Sequence, residues 1–211
     1  MSPPQQKVYI YHITHHSNLP SIIACGGLLC DKQAEQQKPV SIAYKHLKQI
    51  RSSILVPCAP YGTLMDYVPF YFAPRSPMLY AIHTGYVTHY TGGQSKIVYI
   101  VSSIQKVLDL NLRFVFTDGH PISWITRFAN DLTWLNEMVD WQVMQSVWWN
   151  NIPEDPDRKR RRQAEFLVYR FLPLQAVEVI AVYERDMRQQ VYSYLRDPHK
   201  VEVVVRREWY Y

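Results

Sequence analysis

The chain has 211 residues, 47% of them hydrophobic, with 16 tyrosines, 7 phenylalanines and 6 tryptophans, which excludes intrinsic disorder. At this length about 70% of the unfolded surface can be buried, so a single domain over residues 1–211 needs no covalent or metal staple. The net charge of +5 favours a phosphate-bearing partner, and three cysteines (Cys25, Cys30, Cys58) without paired spacing argue against a disulfide framework or a structural zinc site.

The polar, proline-bearing segment from Met1 to Lys7 lacks the apolar core of a secretion signal, and no apolar run is long enough to span a bilayer. The expectation is a reduced, cytoplasmic protein without membrane contact. In chain order, Lys7 to His12 (KVYIYH) predicts a strand, and Ser17 or Asn18 can cap a short helix stopped by Gly26-Gly27. Residues 31–39 are polar and predict a loop, after which Ser41 can cap a helical stretch through Arg51. Val68 to Phe72 predicts a strand, and Ser76-Pro77 supplies a cap and first-turn proline for the next helix. Lys96 to Val101 is an apolar, β-branched strand, followed by a Ser-capped helix near residues 103–110 and a further strand from Arg113 to Phe116. Residues 131–149 show helical spacing, with Trp134, Trp141, Trp148 and Trp149. A charged loop over 153–162 then leads to strands near 164–171 and 176–183, a helix near 184–195 and a last strand from Val201 to Val205. No βαβ repeat, phosphate loop or GxGxxG fingerprint interrupts this order, so the expected class is α+β.

Several segments carry residues suited to chemistry. In Arg162-Gln163-Ala164-Glu165-Phe166-Leu167-Val168-Tyr169, strand alternation puts Gln163 and Glu165 on one face. A carboxylate entering an apolar strand is costly unless it is paired or opens into a cleft. It reads either as a strand-edge group neutralised by the adjacent arginines or as a catalytic acid. His12 and Thr14 on the opening strand read as packing residues or as ligand contacts, and Arg51 alone reads as a solvated helix residue. The stretch from Asp66 to Tyr80 is dense in aromatics and prolines, a rigid surface able either to fill a core or to stack a planar ring. Arg158, Lys159, Arg160, Arg161 and Arg162 form one basic run, either paired with Glu154, Asp155 and Asp157 or free to hold phosphates.

The blocks YHITHHSNLPSII at 11–23, SIAY at 41–44, DYVPFYFAPRSPMLYAIHTG at 66–85, IVYIVSS at 97–103, FVFTDGH at 114–120 and QAEFLVY at 163–169, with the terminal WYY, span nearly the whole chain. Together they resemble the DarT family of DNA-targeting ADP-ribosyltransferase toxins. The resemblance implies an ADP-ribosyltransferase fold with a central split β-structure and NAD⁺ bound across its cleft. It also implies transfer to a base of single-stranded DNA, most often thymine, reversal by the macrodomain antitoxin DarG, a monomer and no metal. By position, Glu165 and Arg51 are then the catalytic pair, and His12, Thr14, Asn18, Arg51 and Tyr71 face NAD⁺. His120, Arg75, Gln163, Arg160, Arg161 and Arg162 face the DNA, the arginines through its phosphates.

The chemistry such an enzyme performs is the loss of nicotinamide from a ribose, which develops positive charge at the anomeric carbon. A carboxylate there stabilises that charge more in the transition state than in the ground state. Thymine N3 needs its proton removed before it attacks, and Glu165 suits that role better than Arg51, whose guanidinium stays protonated. The Gln163-Ala164-Glu165 spacing is also similar to the QxE motif of ADP-ribosyltransferases with other acceptors, so guanine, RNA and protein remain alternatives at this point. A non-enzymatic single-stranded nucleic-acid-binding domain is the reading from a different class.

Overall fold

The computed structural model describes residues 7–195 and 201–211. Ten strands are present among them: β1 (Tyr9–His15), β2 (Gly27–Leu29), β3 (Tyr67–Tyr71), β4 (Ile97–Ser103), β5 (Phe114–Thr117), β6 (Phe128–Ala129), β7 (Glu165–Tyr169), β8 (Phe171–Pro173), β9 (Val179–Val182) and β10 (Glu202–Val205). Eight build a sheet in the order β10-β9-β4-β1-β3-β7-β5-β6, antiparallel at every join except β9 with β10, while β2 and β8 form a separate pair. The expected α+β class is correct.

The sheet nearly divides in its middle. β1 stays in register with β4 along its whole length, from Tyr9↔Ser103 to His15↔Ile97, but meets β3 only at Tyr11↔Tyr71. Sequence supplies a cause. In an antiparallel strand the N–H and C=O of one residue point to the same neighbour. The Pro69 carbonyl accepts from Nδ1 of His12 in β1 at 2.8 Å, so on that side proline offers no ladder donor. A side chain bridges the halves where backbone pairing cannot continue.

Both faces of the sheet are covered. Every residue of β4 is buried, with Val98 and Ile100 in one apolar cluster and Ile97, Tyr99 and Val101 in another. Burial on both faces is why this strand reads as an unbroken apolar run rather than an alternation. Ser76 and Ser103 accept from the N–H groups of Leu79 and Lys106 and start the helices Pro77–His83 and Ile104–Asp109, as the sequence predicts.

Elsewhere the predicted elements shift. Residues 31–39 are not a plain loop, since Asp31–Ala34 and Glu35–Gln37 are helical turns. The next helix is Lys45–Ser53, behind Tyr44 rather than Ser41. The stretch at 131–149 breaks into Leu132–Trp134, Leu135–Met138 and Trp141–Gln145, because the Asp131 and Asp140 side chains cap new turns at Thr133 and Val143.

The basic run also departs from expectation. It is a short helix, Arg158–Arg162, and its last arginine points inward. Arg162 is 4% exposed and donates through Nη1 to the carbonyls of Val143 (2.7 Å), Met144 (2.6 Å) and Ser146 (3.3 Å) and through Nη2 to that of Pro74 (2.7 Å). The expected phosphate contact at Arg162 is therefore corrected: its donors already satisfy carbonyls at the end of the helix Trp141–Gln145, of Ser146 and of Pro74. Arg162→Met leaves those carbonyls unpaired and should cost about 3 kcal/mol in urea unfolding, seen as a lower midpoint. An unchanged midpoint would return Arg162 to the surface role.

Candidate active site

A cleft of ≈ 470 Å³ opens at the sheet's division. β1 contributes His12 and Thr14, β3 Tyr71, β7 Glu165, and the helix Lys45–Ser53 Arg51. At its floor Nη1 of Arg51 donates to both carboxylate oxygens of Glu165, at 3.2 and 3.1 Å. The two residues are 8% and 4% exposed. Arg51 is thus not the solvated helix residue that its local sequence suggests. Asp31 stands 4.0 Å from its Nε.

Burial acts against both charges of this pair. For Glu165 burial raises the proton affinity and Arg51 pulls it back, leaving a net upward direction. For Arg51 burial lowers the value, but Glu165 and Asp31 more than offset it and the guanidinium stays charged. Tyr71, paired in register with Glu165, is held protonated by burial and by the neighbouring carboxylate.

Two histidines face the cleft with opposite polarity. His12 donates through Nδ1 to the Pro69 carbonyl, which can only accept, so Nε2 is left as an acceptor; burial lowers its pKa and keeps the ring neutral. His120 accepts at Nδ1 from the Ile122 N–H at 3.3 Å, so Nε2 carries the proton. Burial, reinforced by the Arg51 charge, lowers His120 from 6.5 to about 4.

Asn18 lines the cleft, but its amide is engaged in building it: Nδ2 donates to Thr14 Oγ1 and the Val40 carbonyl, both at 3.0 Å, and Oδ1 accepts from the Val40 N–H at 2.9 Å. Three buried polar atoms in residues that line the cleft have no hydrogen-bond partner among the described residues: Ser41 Oγ, Arg51 Nε and Arg51 Nη2. Such atoms are costly unless a ligand pairs with them. Apolar walls with a few convergent donors and acceptors suit a ligand with planar rings, ribose hydroxyls and anionic oxygens, the chemistry of a dinucleotide. Among the described residues no group of three or more His, Cys, Asp or Glu side chains could hold a metal ion.

The family description "ssDNA thymidine ADP-ribosyltransferase, DarT" matches residues 11–211. The chain belongs to the DarT family. A DNA ADP-ribosyl transferase of Thermus sp. (strain 2.9) is 43% identical over 205 residues, covering 96% of this chain and 95% of its own length. The structure of Thermus sp. 2.9 DarT in complex with ADP-ribosylated ssDNA superposes with a TM-score of 0.89 at 41% identity, covering 100% of this chain and 99% of that one. The complex of that protein with NAD⁺ gives 0.85 at 40% identity and full coverage of both chains.

Within this DarT frame the structure brings together His12, Thr14, Asn18, Arg51, Tyr71, His120, Gln163 and Glu165. Gln163 reaches the cleft from the C-cap of the Arg158–Arg162 helix rather than from β7, and its Nε2 donates to the Lys159 carbonyl at 3.0 Å. Arg75 lies elsewhere. Its guanidinium stacks on Tyr211 at 4.6 Å and its backbone N–H donates to the Tyr99 hydroxyl at 3.1 Å, so it packs outside the cleft lining. Arg160 and Arg161 are engaged with carboxylates within the chain. Arg160 pairs with Asp157 at 2.7 Å and Asp118 at 2.9 Å, and Arg161 with Asp155 at 2.5 Å and Asp140 at 3.4 Å. Asp31 and Ser41 are cleft residues that sequence reasoning places only in a loop and a cap. An acid at a helix start and a lone serine carry no signal of their own.

Two measurements test this electrostatic frame. Because Arg51→Ala strands a buried carboxylate, it should cost about 3 kcal/mol, and adding Glu165→Gln should recover part of it, since the stranded charge is then gone. Strictly additive costs in chemical denaturation would deny the coupling. For His120 the folded value lies below the unfolded one, so the unfolded chain binds the proton more tightly. That stabilisation is complete above pH 6.5 and lost as pH falls towards about 4. His120→Gln should flatten the acid limb of the stability profile by roughly 3 kcal/mol at most. Superposable profiles would contradict the shift.

Proposed function

We propose that this chain is an NAD⁺-dependent mono-ADP-ribosyltransferase that modifies thymine in single-stranded DNA, working as the toxin of a toxin–antitoxin pair. The observation that carries the reading is the buried Arg51–Glu165 pair at the sheet division, with unpartnered Arg51 N–H groups beside it. The similar Thermus protein, solved with NAD⁺ and with ADP-ribosylated ssDNA, supports the same donor and acceptor.

NAD⁺ supplies an activated C–N glycosidic bond whose leaving group is neutral nicotinamide. Glu165 offers negative charge where the ribose becomes positive, and the nearly dry floor strengthens that interaction. Arg51 opposes the upward pull of burial on the carboxylate's proton affinity and fixes its direction, while His12 Nε2 and the Thr14 hydroxyl offer hydrogen-bond partners to ribose hydroxyls. The glycosidic bond breaks, a bond from the anomeric carbon to thymine N3 forms, and the N3 proton passes to Glu165, the nearest base at the floor. His120, as a neutral donor, suits a thymine carbonyl oxygen.

No helix among the described residues is long and apolar enough to cross a membrane. A monomer acting in the cytoplasm, with the macrodomain protein DarG as its antitoxin, completes the proposal and rests on family membership.

Glu165→Gln removes the charge and keeps the shape. It should reduce ADP-ribose transfer to a thymine-containing oligonucleotide on the order of 10²-fold or more, with NAD⁺ binding retained. Mass spectrometry of the adduct identifies the base. Near-normal transfer by the variant would sink the assignment, and an adduct on guanine would move the acceptor.

A further inference from the structure

We infer that Trp124 and Lys159 form the path of the DNA strand beside the target base, Trp124 stacking a neighbouring base and Lys159 holding a backbone phosphate. The inference rests on the proposed DNA-directed activity and adds the residues that seat the strand.

The first observation is an indole in water. Trp124 is 94% exposed, on the segment 120–127 between β5 and β6. Exposure of this kind is unfavourable for so large an apolar group and is common where a partner covers it. The segment that carries it is held firmly. Ser123 N–H donates to the His120 carbonyl at 2.9 Å, Thr126 N–H to the Ser123 carbonyl at 3.0 Å, and Thr126 Oγ1 to the His120 carbonyl at 2.8 Å. Ile122 packs into the cluster around Val115 and Leu167, and His120 and Ile122 both line the cleft. Trp124 is exposed two residues beyond Ile122, on the same fixed segment that lines the cleft through His120 and Ile122.

The second observation is the one side chain of the basic run that has no internal acceptor among the described residues. Arg160 and Arg161 bind carboxylates, Arg162 binds carbonyls, and Arg158 donates to Ser146 Oγ and the Trp148 carbonyl. Lys159 is exposed, lines the cleft and has no side-chain partner among the described residues. Its backbone is anchored instead, the N–H donating to Asn151 Oδ1 at 2.8 Å.

The two features belong to one unit. His120 N–H donates to the Arg160 carbonyl at 2.9 Å, and Arg160 Nη1 donates to Thr126 Oγ1 at 3.1 Å, tying both ends of the Trp124 segment to the helix of Lys159. Gly119 allows the approach, because a Cβ there would collide with the Arg160 guanidinium. A cation and an aromatic plane on one rigid unit, continuous with the cleft, match a single strand, which presents phosphates and unpaired base faces together. Duplex DNA hides its base faces and would leave the indole in water.

The test uses the full chain with NAD⁺ and single-stranded thymine-containing oligonucleotides, measuring KM and kcat over a series of salt concentrations. Trp124→Leu keeps apolar bulk but loses the plane, and should raise the oligonucleotide KM about tenfold with little change in kcat, while Trp124→Phe restores most of the affinity. Lys159→Gln should reduce the log–log salt slope of affinity by about 0.7, the loss of one phosphate contact, and Lys159→Arg should preserve it. A wild-type KM in Trp124→Leu, or a loss that Trp124→Phe does not restore, overturns the stacking role. A wild-type salt slope in Lys159→Gln overturns the phosphate role. Failure of the wild-type protein to modify any oligonucleotide is a different result, and overturns the proposed activity.

Discussion

The cleft is organised by a charge pair that the protein has no folding reason to bury. Arg51 and Glu165 come from a helix and a strand 114 residues apart, and each loses most of its hydration where they meet. A buried pair of this kind seldom adds net stability over apolar residues of the same volume. What it supplies is a fixed carboxylate in a site from which water is largely excluded. The surroundings follow from that requirement: the sheet must open there, and the helix Lys45–Ser53 must lie over the opening. Tyr71 is the residue at which these demands coincide, since it makes the one register pair between the half-sheets and stands opposite Glu165.

Periodicity and caps made the scaffold legible, because they are local. The apolar run at β4, the Ser76-Pro77 start and the Ser103 cap each depend on neighbours within a turn or on full burial, and each was found where expected. Asp131 and Asp140 show the limit. They are as able to cap a turn as to sit on a helix face, and only the fold decides that the stretch after residue 130 breaks. The site was legible through family resemblance rather than through local chemistry. Arg51 looks like a surface residue because its partner is remote in sequence, and burial by a remote strand leaves no local trace. Asp31 and Ser41 were missed for the same reason.

The basic run shows how charge in a sequence misleads about charge at a surface. Four of its five side chains are engaged internally, three by strong acceptors: Arg160 and Arg161 by carboxylates and Arg162 by a cluster of carbonyls. Repulsion within the run is relieved by Asp118, Asp140, Asp155 and Asp157, two of which come from outside the segment. Spacing along the chain could suggest partners only for the acids beside the run. The arginines here act as struts, and a guanidinium suits that work because its planar fork satisfies several acceptors at fixed angles.

This internal neutralisation changes what DNA recognition can rest on. Attraction from a free run of five cations would be strong, salt-sensitive and indifferent to sequence. With two of the five cations paired with carboxylates and two more side chains turned to internal acceptors, less of the run is free to reach phosphates, and contacts with individual bases gain weight. Stacking and hydrogen bonding depend on which base is present and how it is turned, whereas phosphate contacts do not. The polarity of the two histidines extends this logic into the cleft. His12, fixed as an acceptor by the Pro69 carbonyl, and His120, fixed as a donor by the Ile122 N–H, present opposite hydrogen-bonding faces without carrying charge. A neutral donor beside a buried ion pair can orient a base carbonyl without competing for Glu165, as a protonated imidazole would. The depressed basicity of His120 thus keeps a second cation away from the Arg51–Glu165 pair.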